Sequence, residues 1–262
     1  MRADATYALC GILLFASAGC VSDGGETHHY FHAEEKPHAA AWGYQGDIGP
    51  GHWGDLSPQY ELAKTGRQQS PIDISDATAG DLPTITFDYR PAKIDLVYNG
   101  HTIEEMEDGA SAIVVEGKRY VLAQFHFHAP SEHTIDGRHA DMEMHLVHKS
   151  EDGQVAVVGV MIRAGAENLA FAPIWDRLPT PANKERRATA TIDAASLLPK
   201  DHGHYRYLGS FTTPPCTEGV LWLVLRTPVE LSRAQIDQFR AVIEGNNRPV
   251  QPRNQRAIEY TR

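Results

Sequence analysis

Short β-rich runs, separated by turn pairs ending in glycine, constrain this chain more than any other feature. The runs are Ile113–Val115, Tyr120–Leu122, Gln124–His128, Met142–His148, Val155–Ile162 and Val220–Leu225. The turn pairs are Asn99-Gly100, Asp108-Gly109, Glu116-Gly117, Asp136-Gly137 and Asp152-Gly153. Glu116-Gly117 and Asp152-Gly153 are predicted to close antiparallel hairpins, since such pairs tolerate positive φ. Helical candidates are fewer. Asn168–Leu178 is one; Ser232–Glu244 is clearer, with Ser232 as N-cap and Ile236, Phe239, Val242 and Ile243 at core spacing. Internal repeats and a second composition regime are absent. With 262 residues, 42% of them hydrophobic, a core can form without disulfides. The expected fold is mainly β with surface helices (α+β), one domain over residues 42–262.

Charge and ends narrow the function classes. The net charge is −10, and no basic block is present, so a nucleic-acid partner is not expected. No apolar run reaches the roughly 18 residues of a membrane helix. Residues 1–20 hold the apolar stretch Ala8–Ala18 behind Arg2, the length of an export signal. Two processing sites compete. Ala16-Ser17-Ala18 is an A-x-A site, whereas Ala18-Gly19-Cys20 resembles a bacterial lipobox, which would make Cys20 a lipid anchor. The expected location is exported, in the periplasm, with a membrane tether if Cys20 is lipidated. Residues 21–41 carry Gly24, Gly25, His28, His29, His32 and His38 without periodicity and read as a flexible His-rich linker. Cys216 is the sole cysteine of the body.

The chemistry concentrates in Gln124-Phe125-His126-Phe127-His128. On a strand, His126 and His128 share one face and the two phenylalanines the other. Met142–His148 alternates too, and the Pro- and Gly-containing segment 129–140 can reverse the chain to set His145 beside the pair. Three neutral imidazoles suit Zn²⁺ with an open fourth position. Gln124 and Glu143 share the faces of His126 and His145, where each could accept a ligand's outer N–H. A rival is the cupin pattern, because His126-x-His128 followed by Glu132 matches its first half; the second half, a Pro-x-Gly turn before a further His, is missing.

These residues belong to a longer series that resembles the α-class carbonic anhydrase family, in its exported bacterial form. The series is Trp42-Gly43-Tyr44, Gln69–Ile72, Asn99–His101, Gln124–His128, Ser131–Thr134, Glu143–His148, Gly209–Pro215 and Asn246–Pro249. The resemblance implies a central, largely antiparallel sheet of about ten strands with zinc at the base of a conical cleft. It implies reversible hydration of CO₂ to bicarbonate by zinc-bound hydroxide. It assigns the metal to His126, His128 and His145, and orientation of the nucleophile to Thr212 and Glu132. His101 becomes the proton shuttle, with Tyr44 and Asn99 in its solvent network. Val147, Val157, Phe211, Val220 and Trp222 would form the CO₂ wall, with Thr213 beside them. Inhibition by sulfonamides and anions is expected.

Some positions depart from the pattern. Ala63 stands where exported relatives place the cysteine that pairs with Cys216, so Cys216 is expected as a free buried thiol. Glu104 replaces a common Asn or Gln facing the cleft, Phe211 replaces Leu, and Ala129 follows the ligand pair where Trp is common. His133 and His148 match interior structural positions. Two other readings share the fold: a catalytically silent binding module, which would typically lack a ligand histidine, and a zinc hydrolase acting on esters.

Overall fold

Glu116 and Gly117 both adopt positive φ, 52° and 77°, and turn Ala112–Val115 directly into Lys118–His128, with Val115 opposite Lys118. The second expected hairpin also forms. Met142–Lys149 pairs antiparallel with Val155–Ala164 around a loop whose Gly153 has φ of 85°. In the computed structural model, residues 40–243 and 245–262 are described. The segments expected to be an export signal (1–20) and a linker (21–41), apart from Ala40 and Ala41, therefore lie outside the described residues.

These hairpins grow into an open sheet of 12 strands. From one edge the order is Glu185–Ile192, Ala92–Tyr98, Ile103–Met106, Lys118–His128, Met142–Lys149, Val155–Ala164, Glu218–Leu231, His204–Ser210, Glu259–Thr261 and Thr78–Gly80. Ala112–Val115 branches from Lys118–His128 and carries Thr86–Asp88. All pairings are antiparallel except Val155–Ala164 with Glu218–Leu231 and Glu259–Thr261 with Thr78–Gly80. The sheet is thus mixed, largely antiparallel, and not closed.

Two sequence readings need correction. Tyr120–Leu122 and Gln124–His128 are one strand, not two. Val147 faces Gln124 while its neighbour His148 faces Leu122, so Ala123 is the extra residue of a β-bulge. Its carbonyl accepts the Glu107 N–H at 3.1 Å, so the irregular residue is still satisfied. Asn168–Leu178 is not a continuous helix but a 3₁₀ turn, Leu169–Phe171, followed by one α turn, Ala172–Trp175. Pro173 cannot donate to a preceding turn, which favours the break. The other helix starts where expected: Ser232 and Gln235 form a reciprocal capping box. It ends at Arg240 rather than Glu244, and Gly245 at φ of 63° then redirects the chain toward the sheet.

Strand alternation divides the core. Phe125, Phe127, Met144 and Leu146 point to one face and pack with Phe171, Trp175 and Phe239 from the short helices. Ile72, Val157, Met161, Val220 and Trp222 form the cluster on the other face. His126, His128 and His145 project to that second side, whereas His148, beyond the bulge, projects to the first and meets Tyr89.

Candidate metal centre and active site

The ladder between Lys118–His128 and Met142–Lys149 sets His145 opposite His126 and Glu143 opposite His128. Directly opposed residues share a face, so this register gathers three histidines and Glu143. The segment between the strands folds its own small hairpin, Thr134–Ile135 with Arg138–His139, and tucks Glu132 and His133 beneath them. One potential ligand atom from each of His126, His128 and His145 lies within 4.8 Å of the others.

The outer ring nitrogens of His126 and His128 are occupied. His126 Nδ1 meets Gln124 Oε1 at 2.7 Å, and His128 Nδ1 donates to the Asn246 carbonyl at 2.7 Å. These contacts leave Nε2 of both rings for the centre, and His128 Nε2 is buried without a hydrogen-bond partner. His145 is turned the other way. Its Nε2 is 2.9 Å from Glu143 Oε1 but too far out of line for a hydrogen bond. Its Nδ1 faces Glu132 Oε2 at 3.9 Å. Burial lowers the pKa of all three rings, that of His128 to about 4. They are therefore neutral near pH 7, as metal ligands must be. Neutral nitrogen donors, a partnerless inward Nε2 and a nearby carboxylate fit a small divalent cation such as Zn²⁺.

His133, Glu143 and His145 form a second close group. Glu143 is already engaged there. It accepts the backbone N–H groups of Glu132 and His133 at 2.9 Å each and His133 Nδ1 at 2.8 Å. Burial alone would raise its pKa; the interactions with His133 and His145 outweigh burial and hold it well below the usual carboxylate range. The group is a scaffold for His145. Gly159 opposite His145 makes room for it, since a Cβ there would meet Glu143 Oε1 at 3.0 Å.

The other expected site residues assemble around this centre. Glu132 is fully buried; Oε1 accepts the Arg248 N–H at 2.8 Å and Oε2 stands 3.5 Å from His128 Nε2. Burial pushes its pKa up to about 7, opposed by His145, by the Arg248 N–H and by the Thr212 hydroxyl. Thr212 is buried and Thr213 half-buried, in the loop after His204–Ser210. Val157, Val220 and Trp222 form one cluster, with Val147 and Phe211 packed against it. Asn99 Oδ1 accepts the N–H groups of His101 and Thr102 at 2.8 and 2.9 Å, which shapes the turn. The half-buried His101 ring stacks on Trp42, centroids 3.6 Å apart and 8° from parallel, with Tyr44 at 6.4 Å. Burial lowers the His101 pKa. Glu104 lies opposite His126 and so faces the same side; burial raises its pKa, against the Asn99 side chain.

His133 and His148 are interior hydrogen-bonded residues, on Tyr207 at 2.6 Å and Tyr89 at 2.8 Å. Cys216 is free and buried, and burial pushes its pKa to about 11. Sequence reasoning marked Asn246 and Arg248 as landmarks but gave them no role. Their importance is tertiary: Asn246 holds a ligand ring, and Arg248, 1% exposed, holds Glu132 while its guanidinium bonds Ala63, Gln69 and Ser70.

An open mixed sheet presenting three neutral imidazoles, backed by a carboxylate, an amide and a carbonyl, defines a single-domain enzyme with a His₃ metal-type site. Comparison with known proteins makes the class specific. The model of the eukaryotic-type carbonic anhydrase family matches residues 48–262. Carbonic anhydrase of Neisseria gonorrhoeae is 46% identical over 219 residues, 83% of this chain and 86% of the relative. The α-carbonic anhydrase of Thermovibrio ammonificans, solved with the inhibitor sulfanilamide, is 48% identical with a TM-score of 0.82, covering 84% of this chain and 99% of that one. A hyperthermostable carbonic anhydrase from a hydrothermal vent chimney gives 46% and 0.82, over 85% of this chain and 100% of the other. The chain belongs to the α-class, eukaryotic-type, carbonic anhydrase family.

Proposed function

We propose that this enzyme interconverts CO₂ and bicarbonate with Zn²⁺ held by His126, His128 and His145. The observation that carries the reading is the convergence of three neutral rings, two of them fixed by hydrogen bonds from their outer nitrogens and the third set against the Glu143 carboxylate. Zinc bound there supplies Lewis acidity, lowering the pKa of a ligated water from 15.7 to about 7, an effect for which carbonic anhydrase is itself the standard case.

The chain's own residues do the rest. The Glu132 carboxylate, turned by the Arg248 N–H, accepts a hydrogen bond from the Thr212 hydroxyl. The Thr212 oxygen is then left as an acceptor and orients the attacking oxygen by its remaining proton. Val147, Val157, Val220 and Trp222, with Phe211, give CO₂ an apolar wall that asks for no hydrogen bonds. His101 takes the released proton toward solvent, since an imidazole titrates near the working pH. Tyr44 and Asn99 flank its route. Sulfanilamide binding by the Thermovibrio relative supports sulfonamide inhibition here. The first 20 residues direct export to the periplasm, with lipidation at Cys20 or cleavage after Ala18 as alternative endings.

Stopped-flow CO₂ hydration tests the reading. Rapid hydration that a chelator abolishes, zinc restores and a sulfonamide inhibits is the expected result; hydration no faster than buffer in zinc-loaded protein overturns it. Aryl-ester turnover in the same preparation measures the hydrolase alternative. Mass spectrometry of the native N-terminus decides the processing.

A further inference from the structure

The pairing of Ile103–Met106 with Lys118–His128 stops at Glu104 opposite His126. His101 and Thr102, the next residues back along the chain, fall outside that ladder. Side chains hold them instead. The Phe127 carbonyl, between ligands His126 and His128, accepts the Thr102 hydroxyl at 2.6 Å and Asn246 Nδ2 at 2.9 Å. The same Nδ2 donates to the His101 carbonyl at 3.1 Å. Asn246 Oδ1 accepts the Ala129 N–H at 2.9 Å, and the Asn246 carbonyl accepts the ring of ligand His128 at 2.7 Å. Asn246 is 1% exposed and Thr102 6%. Every hydrogen-bonding group of the Asn246 amide is thus used inside the protein. Its bonds reach the peptides on both sides of His128 and the peptide of His101.

We infer that Thr102 and the side chain of Asn246 are positioning residues, a buried clamp that sets where His101 stands relative to the metal-ligand strand. The inference deepens the shuttle role proposed above and rests on it. Two buried hydrogen bonds to a single carbonyl allow little drift. Without them, the Asn99–Thr102 turn keeps its own Asn99 bonds but loses its register against the ligands. Proton transfer through water chains is sensitive to displacements of about 1 Å. Proton export regenerates the enzyme after bicarbonate has formed, so a misplaced His101 lowers kcat and spares kcat/KM.

Two variants of the zinc-loaded, full-length protein test this. Thr102→Val removes the hydroxyl and keeps the β-branched shape. Asn246→Asp keeps Oδ1 for Ala129 and removes the Nδ2 donor. Thr102→Val is expected to lower kcat in weakly buffered solution about threefold, and Asn246→Asp about tenfold. For Thr102→Val, kcat/KM and zinc affinity, the latter by chelator competition, stay within about twofold, and added imidazole restores kcat. In a His101→Ala background Thr102→Val has no further effect on kcat. Independently of turnover, NMR of both variants shows the His101 ring protons shifted, because the ring current of Trp42 reports the stack.

Unmoved His101 resonances, a parallel fall in kcat/KM, or an undiminished Thr102→Val effect without His101 overturns the clamp. Should His101→Ala leave kcat unchanged, the shuttle role falls, while the NMR measurement still decides whether the clamp positions the ring.

Discussion

On the metal side of the sheet, Glu143 is 0% exposed and accepts two backbone N–H groups and the His133 ring. On the opposite face of the strand next to His126, Glu105 is also 0% exposed, yet among the described residues it draws on the Asp95 N–H alone, at 3.1–3.2 Å. Glu107, two residues on, has both carboxylate oxygens buried without a hydrogen-bond partner; the nearby Ser111 hydroxyl donates to the Arg90 carbonyl. The outcomes are opposite. Glu143 is held well below the ordinary carboxylate range. Burial drives Glu105 up to about 8, with the charges of Glu107 and Asp95 adding to the rise, and drives Glu107 to about 7, with Asp108 and Asp193 adding. Burial is common to both regions, so partners decide. A carboxylate supplied with donors stays charged and can anchor a metal ligand. One left short of donors takes up a proton.

The strongest way to break the comparison is to remove what the anchored carboxylate serves. His145→Ala is expected to abolish zinc retention and CO₂ hydration together, read as metal content per chain and stopped-flow rate. Glu143→Ala comes next. It leaves the His145 ring without its charged neighbour, and zinc affinity should fall about 10–100-fold in chelator competition.

The under-supplied pair predicts a pH effect on stability. Both folded pKa values exceed the ordinary 4.5, so the stability these groups contribute is complete below about pH 4.5. It is lost as pH rises through about 7 and 8. Glu105→Gln keeps an acceptor for the Asp95 N–H and cannot ionise. It should recover on the order of 2 kcal/mol at pH 9 and little at pH 5, read from urea midpoints. Histidines act in the other direction. His148 is lowered to about 3 by burial, so its contribution is present above about 6.5 and lost as pH falls toward 3. An optimum between the two limits is the expected profile. The smallest effect is for Gln124→Ala, which removes a neutral rather than a charged acceptor from a ligand ring. Zinc affinity should fall less than about tenfold, clearly less than for Glu143→Ala.

Much of this was legible in the chain. Turn pairs and alternation located the hairpins, and i, i+2 spacing put His126 and His128 on one face with Gln124. The bulge at Ala123 escaped because an extra residue in one strand has no signature until its partner's register is known. The broken helix at 168–178 escaped because Pro173 is tolerated in a first turn and reads equally as a start. Glu105 looks like a solvent-facing strand residue; its burial depends on strands remote in sequence that set Leu96 and Phe125 on either side of it.

The sequence by itself determined the family and the shared face of His126 and His128, because these depend on residue identity and short-range spacing. Tertiary structure alone decided which nitrogen of each imidazole faces the centre, that Asn246 and Arg248 serve it from more than 100 residues away, and which buried carboxylates keep their charge. Those properties follow from how many donors reach a buried atom. Donors recruited from distant strands leave no local pattern in the chain.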